Sequence, residues 1–152
     1  MSRPFSNTEN TTPGALPSSN APVTAHFALN ERIMGLAPHR LTRVLSSIES
    51  RLAESIRVQE LAEVVHMSPF HFTRMFKLAT GQSPHRYITR LRVEEAKRLL
   101  ATTDMPINRV ASAVGYQTQA HFTGVFARHV GNTPKRYRLQ QRAGASSSSS
   151  SS

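Results

Sequence analysis

The sequence contains no cysteine, which excludes disulfide bonds and thiol chemistry. No apolar run approaches the ~18 residues that a membrane span requires, and the N-terminus lacks the apolar core of a signal peptide. We therefore expect no membrane partner. A chain without a targeting segment is most simply cytoplasmic.

Catalytic patterns are also missing. The sequence has no glycine-rich phosphate loop, no G-x-S-x-G and no paired acids in an apolar setting. Seven histidines are present, but no carboxylate or cysteine cluster accompanies them. His66 and His71 are five residues apart, outside the i, i+4 spacing that puts two metal ligands on one helical face. We therefore expect no enzyme, no metal site and no cofactor.

Acidic residues are scarce, with nine Asp and Glu against nineteen Lys and Arg, a formal net charge of +10. The excess lies entirely in residues 38–142, and no acid follows Asp104. A compact basic domain attracts polyanions, nucleic acid before anionic membrane. The alternative is a solvated basic surface that only maintains solubility.

One stretch of sequence occurs twice. Residues 71–87 read H-F-T-R-M-F-K-L-A-T-G-Q-S-P-H-R-Y, and residues 121–137 read H-F-T-G-V-F-A-R-H-V-G-N-T-P-K-R-Y, with eight of seventeen positions identical. In each copy, apolar residues at spacings of three and four predict two short helices around a tight turn. Such a pair is typical of a helix-turn-helix unit, whose second helix can lie in a DNA major groove. An αα-hairpin that only packs is the alternative.

The predicted fold is all-α, with about seven helices in residues 38–142. Two helix-turn-helix subdomains, at about residues 57–80 and 106–130, are joined by a long linking helix over residues 84–101. A first helix from Pro38 to about Ala53 braces this arrangement, and a short basic helix from Pro134 to about Gln141 closes it.

Both ends of the chain are predicted to lie outside this domain, with residues 1–37 forming a tail or linker. Residues 1–25 are too poor in large apolar side chains to order, whereas residues 26–36 could form a docked helix, the remnant of a linker or a dimerisation segment. The Ser-rich residues 143–152 are predicted to be a flexible tail.

The linking helix is shorter than the spacing of DNA grooves. About eighteen residues at ~1.5 Å each give a rod of roughly 27 Å, whereas successive major grooves on one side of DNA are ~34 Å apart. If the rod holds the second helices of the two units closer together than ~34 Å, the DNA must bend or one helix must fit its groove poorly. Arg86 on the basic face of this rod, and Arg40 off the apolar face of the first helix, are candidate phosphate contacts.

Two longer motifs extend the repeat. One is S-P-F-H-F-T-R-M-F-K-x3-G-x-S-P-H-R-Y, and the other is I-x2-V-A-x2-V-G-Y-x5-F-x3-F-x4-G-x-T-P-x2-Y-R. They resemble the two helix-turn-helix units of the AraC/XylS family of bacterial transcription regulators, and the resemblance covers about residues 38–138. It implies that one chain, as a monomer, sets two recognition helices into adjacent major grooves of double-stranded DNA.

The family pattern also implies base-contacting residues. On the first recognition helix the outward positions would be Phe70, Thr73, Arg74 and Lys77. Arg74 can bond guanine O6 and N7, a contact worth about 1–3 kcal/mol of discrimination. Thr73 and Phe70 can reach a thymine methyl or a sugar, and Lys77 is expected to meet a phosphate.

The second recognition helix departs from this pattern. Its matching positions are Gln119, Ala120, Thr123 and Gly124. Family members often have Arg where Gly124 stands, and glycine inside a helix costs ~1 kcal/mol and presents nothing to a base. We therefore expect weaker base reading here. The phosphate contacts of this half would be made by Arg128, Lys135 and Arg136. Such contacts position the protein on DNA and do not read the base sequence.

Three interpretations remain open at this stage. The first is a sequence-specific regulator, activator or repressor, with RNA polymerase as a second candidate partner. Another is a non-specific architectural or RNA-binding protein. The third is a fragment of a longer ligand-responsive regulator, because the family usually adds a ligand-sensing or dimerising domain for which this sequence has no room.

Overall fold

The computed structural model describes residues 35–149, and every regular element in that range is an α-helix. In chain order they are α1 Pro38–Ser50, α2 Val58–Val64, α3 Pro69–Thr80, α4 Pro84–Thr102, α5 Ile107–Ala113, α6 Gln119–Val130 and α7 Pro134–Ser149. The predicted all-α class is confirmed. In the part of the chain that the structure describes, no helix is both long and apolar enough to cross a membrane.

The two copies of the repeat begin and end their second helices in the same way. Ser68 and Thr118 are the N-caps of α3 and α6, and their side-chain oxygens accept hydrogen bonds from the backbone N–H groups three residues later, at 3.3 and 3.2 Å. Both helices end at a left-handed glycine, Gly81 and Gly131. The similarity of the two copies therefore extends to their backbone hydrogen bonds.

The buried residues form two separate hydrophobic cores, and no buried residue belongs to both. The first contains Leu36, Val44, Ile48, Leu61, Ala62, Val65, Phe72, Met75, Phe76 and Ile88. The second contains Val93, Ala96, Leu99, Leu100, Val110, Ala111, Val114, Tyr116, Phe122, Val125 and Phe126. We call the helices around these cores the first unit (α1–α3 and the start of α4) and the second unit (the rest of α4 and α5–α7).

The repeated aromatic residues build equivalent ring contacts in the two cores. The ring of Phe76 lies 5.4 Å from that of Tyr87, in an edge-on arrangement. The corresponding pair in the second unit, Phe126 and Tyr137, is 5.6 Å apart. Such edge-to-face pairs add to the stabilisation from burial. The identical phenylalanines and tyrosines of the repeat therefore have a structural role.

Helix α4 is the element that both units share. Near its N-terminus Ile88 is buried in the first core, and from Val93 onward its buried side chains enter the second. Its nineteen residues give a rod of about 28 Å at ~1.5 Å per residue. The switch between cores falls at residues 89–92, so the orientation of the two units is determined at this point of the helix.

The structure differs from the sequence-based expectations at three helix or domain ends. Leu36, assigned to the tail, is only 1% exposed and packs in the first core. Helix α1 ends at Ser50 rather than near Ala53, because the chain turns at Arg51, whose side chain bonds Glu54 and Glu60.

At the other end, α7 continues to Ser149, where a flexible tail was expected from residue 143. The hydroxyl of Ser146 donates to the carbonyl of Arg142 at 3.1 Å, so this serine bonds within the helix rather than ending it. The expectations for residues 1–34, including a docked helix or dimerisation segment, and those for residues 150–152 lie outside the described residues.

Because the cores share no buried residue, a cavity in one should loosen mainly its own unit. Phe76→Ala and Phe126→Ala each remove a fully buried ring, which costs about 3–5 kcal/mol. We expect hydrogen exchange measured by mass spectrometry to show faster exchange in α2–α3 for the first variant and in α5–α6 for the second. Equal acceleration throughout both units in each variant would show instead that the domain unfolds as one cooperative block.

Candidate nucleic-acid interface

Helix α3 exposes one face that runs from its first turn to its last. Phe70 is 83% exposed, and the side chains of Arg74 and Lys77 are also exposed. These positions are four and three residues apart, so they lie on the same side of the helix. Thr73 between them is half-buried, and its hydroxyl donates to the carbonyl of Pro69 at 2.8 Å. The face therefore offers an aromatic ring, a threonine that retains its methyl group and an acceptor oxygen, and two cations.

Helix α6 presents a smaller and less charged face at the matching positions. Gln119 and Ala120 are exposed, and Thr123 is half-buried. Gly124 stands where the first unit has Arg74, and a Cβ added there would meet nothing within 4 Å. The two faces therefore share a scaffold but differ in chemistry, because most of the hydrogen-bonding and charged groups are on α3.

Two further predicted cations sit at the start of α7, and one at the start of α4. Lys135 and Arg136 are exposed in the first turn of α7, and Arg86 is exposed in the first turn of α4. The caps Ser83 and Thr133 accept from the backbone N–H groups three residues later, at 3.4 and 3.3 Å. A helix N-terminus carries partial positive charge and favours phosphate, so these cations reinforce the helix ends.

A cleft of about 1280 Å³ lies between the two units. From α4 it is lined by His85, Arg86, Thr89 and Arg92, and from the second unit by Gly115, Tyr116, Thr118, His121, Arg128 and His129, among others. No Asp or Glu lines it. The structure thus brings Arg86 and Arg128 to one basic cleft, whereas Arg40, Lys77, Lys135 and Arg136, although exposed, lie elsewhere.

Several cations of α4 are engaged within the protein. Lys97 pairs with Glu94 at 3.0 Å, and Arg98 pairs with Glu95 at 2.6 Å. The guanidinium of Arg90 lies 4.8 Å from the centre of the Tyr87 ring. Arg86, which lies in the cleft and was predicted on the basic face of the linking helix, is therefore better placed than these three to meet a polyanion.

Two arginines bond backbone carbonyls that are far away in the sequence. Arg92 donates from Nε to the carbonyl of Leu52 at 3.0 Å, and Arg138 donates from Nε to that of Leu100 at 3.3 Å. Burial lowers the pKa of the Arg92 guanidinium and raises the pKa of the neighbouring Tyr116 hydroxyl, since both charged forms lose water. Sequence reasoning missed this role of Arg92, because no local pattern marks a partner forty residues away.

The geometry defines a class: a tandem helix-turn-helix domain of the type that binds DNA. The sequence pattern of the helix-turn-helix domain family matches residues 61–140. The chain is similar to the DNA-binding domain of AdpA, a global transcriptional factor solved in complex with a target DNA, with 34% identity and a TM-score of 0.66 over 68% of this chain and 94% of that one. An AraC-type regulator from Chromobacterium violaceum is 29% identical with a TM-score of 0.63, over 67% of this chain and 91% of that one.

A curated relative is the uncharacterized HTH-type transcriptional regulator YobQ of Bacillus subtilis, 38% identical over 94 residues, which are 62% of this chain and 39% of that protein. The chain spans about two fifths of the length of the first curated relatives it matches. It belongs to the AraC/XylS family and contains that family's AraC-type DNA-binding domain. The family is one of DNA-binding transcription regulators.

The open surface at Gly124 yields a stability prediction. Gly124→Ala should stabilise the protein by about 1 kcal/mol, because alanine favours a helix interior and the added methyl meets no neighbour. Gly131→Ala is the matched control: it also has open space, but its φ of 85° is unfavourable for alanine. In chemical denaturation we expect the midpoint to rise for the first and fall for the second. A fall for both would mean that Gly124 is required by the fold.

Proposed function

We propose that the protein is a sequence-specific transcription regulator that binds DNA as a monomer and places α3 and α6 in adjacent major grooves of an asymmetric site. The observation that carries this proposal is the face of α3, which exposes Phe70, Arg74 and Lys77 together. The ring of Phe70, 83% exposed, can contact a thymine methyl while the two cations beside it bond a base or a phosphate. A regulator of this kind would act in the bacterial cytoplasm, where the chromosome is.

Within the proposed complex, α3 carries most of the base recognition. Arg74 would donate to guanine O6 and N7, a bidentate contact of about 1–3 kcal/mol. Phe70 would pack on a thymine methyl or a sugar and lose its contact with water. Thr73, whose hydroxyl is engaged with Pro69, would offer its methyl group and an acceptor oxygen, and Lys77 would meet phosphate.

Helix α6 would read fewer bases. Gln119 can bond adenine N6 and N7, and Ala120 and Thr123 can contact a thymine methyl. Gly124 stands at the position that matches Arg74 and has no side chain that could reach a guanine. The site should therefore contain one strongly and one weakly specified block. That asymmetry also fixes the orientation in which a monomer binds.

The basic cleft supplies a place for the DNA backbone between the two grooves. Arg86 and Arg128 line it without any acidic neighbour, so a phosphate there would meet positive charge from both units. Lys135 and Arg136 at the start of α7, together with Arg40 on α1, would hold flanking phosphates. These contacts position the protein and carry no sequence information.

Selection of binders from random double-stranded DNA at about 150 mM salt tests the specificity. We expect a motif of two blocks about one helical turn apart, with Arg74→Ala degrading the stronger block. Arg98→Ala is the matched control, because it also removes one positive charge but from a residue that is paired with Glu95. Its motif should remain that of the unchanged protein.

The rival function is non-specific binding to polyanions. In that case no motif would emerge from the selection, affinity would fall steeply as salt rises, and Arg74→Ala and Arg98→Ala would have the same effect. That outcome would contradict sequence-specific regulation while leaving DNA binding in place.

The proposed phosphate contacts predict how the binding affinity depends on salt concentration. Arg86→Ala and Arg128→Ala should weaken binding to all sequences alike and each reduce the slope of log K against log salt by about 0.9. Fluorescence anisotropy over a salt series, on the selected site and on an unrelated sequence, measures both. An unchanged slope in both variants would show that the backbone does not enter the cleft.

A further inference from the structure

Arg92 touches both units. Its guanidinium donates to the carbonyls of Leu52 and Glu54, at 3.0 and 2.5 Å, in the connection between α1 and α2 of the first unit. The same group lies 5.6 Å from the centre of the Tyr116 ring, in the second unit. A half-buried cation therefore bonds the backbone of one unit and faces an aromatic ring of the other.

The backbone of the second unit packs against the same two groups, the Leu52 carbonyl and the Arg92 guanidinium. Gly115, in the turn between α5 and α6, has a φ of +86°, and a Cβ added there would lie 2.7 Å from the Leu52 carbonyl oxygen and 2.7 Å from the Arg92 guanidinium. Any side chain would push these groups apart. We call this contact of Leu52, Arg92, Gly115 and Tyr116 the inter-unit clamp.

The clamp lies where the fold is otherwise least constrained. The two hydrophobic cores share no buried residue, and α4 passes from one to the other at residues 89–92. A single helix can bend gently along its length. Contacts beside residues 89–92 therefore have a large effect on the distance and angle between α3 and α6.

We propose that the inter-unit clamp holds the two recognition helices at one separation and angle, and thereby determines which spacing between the two half-sites the protein accepts. This rests on the proposed function, because only a protein that inserts both helices can be selective for spacing. Arg92 is then a positioning residue. It need not touch a base to affect specificity.

The chain contains a matched control for Arg92. Arg138 on α7 donates to the carbonyls of Leu100 and Met105, at 3.3 and 2.5 Å. Leu100 and Met105 belong to the second core or pack against it, so this arginine makes the same kind of contact inside a single unit. Arg138→Ala should cost stability as Arg92→Ala does, without loosening one unit from the other.

Spacing selectivity can be measured on DNA duplexes in which the two selected blocks are separated by the preferred number of base pairs, one fewer or one more. For the unchanged protein and Arg138→Ala, each shift should weaken binding about tenfold, the size of one lost base contact. For Arg92→Ala the penalty should fall to about threefold or less, because freer units can adjust.

Arg92→Lys separates positioning from charge, because Arg92 also lines the cleft. Lysine keeps the positive charge but lacks the planar fork that bonds two carbonyls. We expect it to relax the spacing preference while the salt dependence of binding stays unchanged. If Arg92 were only a phosphate contact, Arg92→Lys would keep the spacing profile and Arg92→Ala would weaken all spacings equally, which would overturn the proposal.

A measurement without DNA tests the clamp even if the proposed function fails. The absence of native cysteine permits specific spin labels at Gln59→Cys on α2 and Asn108→Cys on α5, both exposed positions. Pulsed electron resonance should give one narrow distance distribution for the parent and Arg138→Ala, and a broader or shifted one for Arg92→Ala. Identical distributions in all three would contradict the clamp.

Gly115→Ala tests the inter-unit clamp without changing Arg92. It should also change the label distance and the spacing profile, because its Cβ would force the Leu52 carbonyl away. Gly131→Ala, with a similar φ of 85° but open space around it, is its control and should change neither. If the wild-type protein showed no sequence preference in the selection, the proposed function would be refuted. The label distances do not depend on that result and would still test the clamp.

Discussion

The structure depends on one helix that must bury side chains in two cores at once. Ile88 near the start of α4 belongs to the first core, and the side chains from Val93 onward belong to the second. Each unit is too small to bury much apolar surface alone, so each completes its core on this shared rod. Helices α3 and α6 are in turn packed on those cores through their buried phenylalanines. Their positions relative to each other therefore follow from the geometry of α4.

The cations divide into two groups for an electrostatic reason. Arginines beside the unsatisfied carbonyls at helix ends, such as Arg92 and Arg138, bond those carbonyls, because a buried polar group without a partner is costly. Others, such as Arg86 and Arg128, line a cleft that contains no acid. A net charge of +10 is thus only partly available to a polyanion. Counting charges indicates a nucleic-acid binder but does not locate its interface.

The two copies of the repeat share a scaffold and differ at the surface. Residues that cap helices or fill cores are nearly the same in both copies, because each unit must satisfy the same hydrogen bonds and packing. The exposed positions are under no such constraint, and Arg74 in one unit corresponds to Gly124 in the other. In the proposed function this difference suits a monomer to an asymmetric site, whereas two identical faces would not distinguish its two orientations.

The sequence by itself determined what depends on neighbours along the chain. Apolar spacing predicted two helices around a turn in each copy, and the repeat predicted the tandem arrangement, because helical periodicity is encoded within about four residues. Only the tertiary structure decided which cations meet in the cleft and how Arg92 joins the two units. Its bond to Leu52 spans forty residues, and no local pattern encodes such a partner. The sequence likewise left open whether residues 26–36 dock on the domain, because the packing of Leu36 in the first core depends on partners far along the chain.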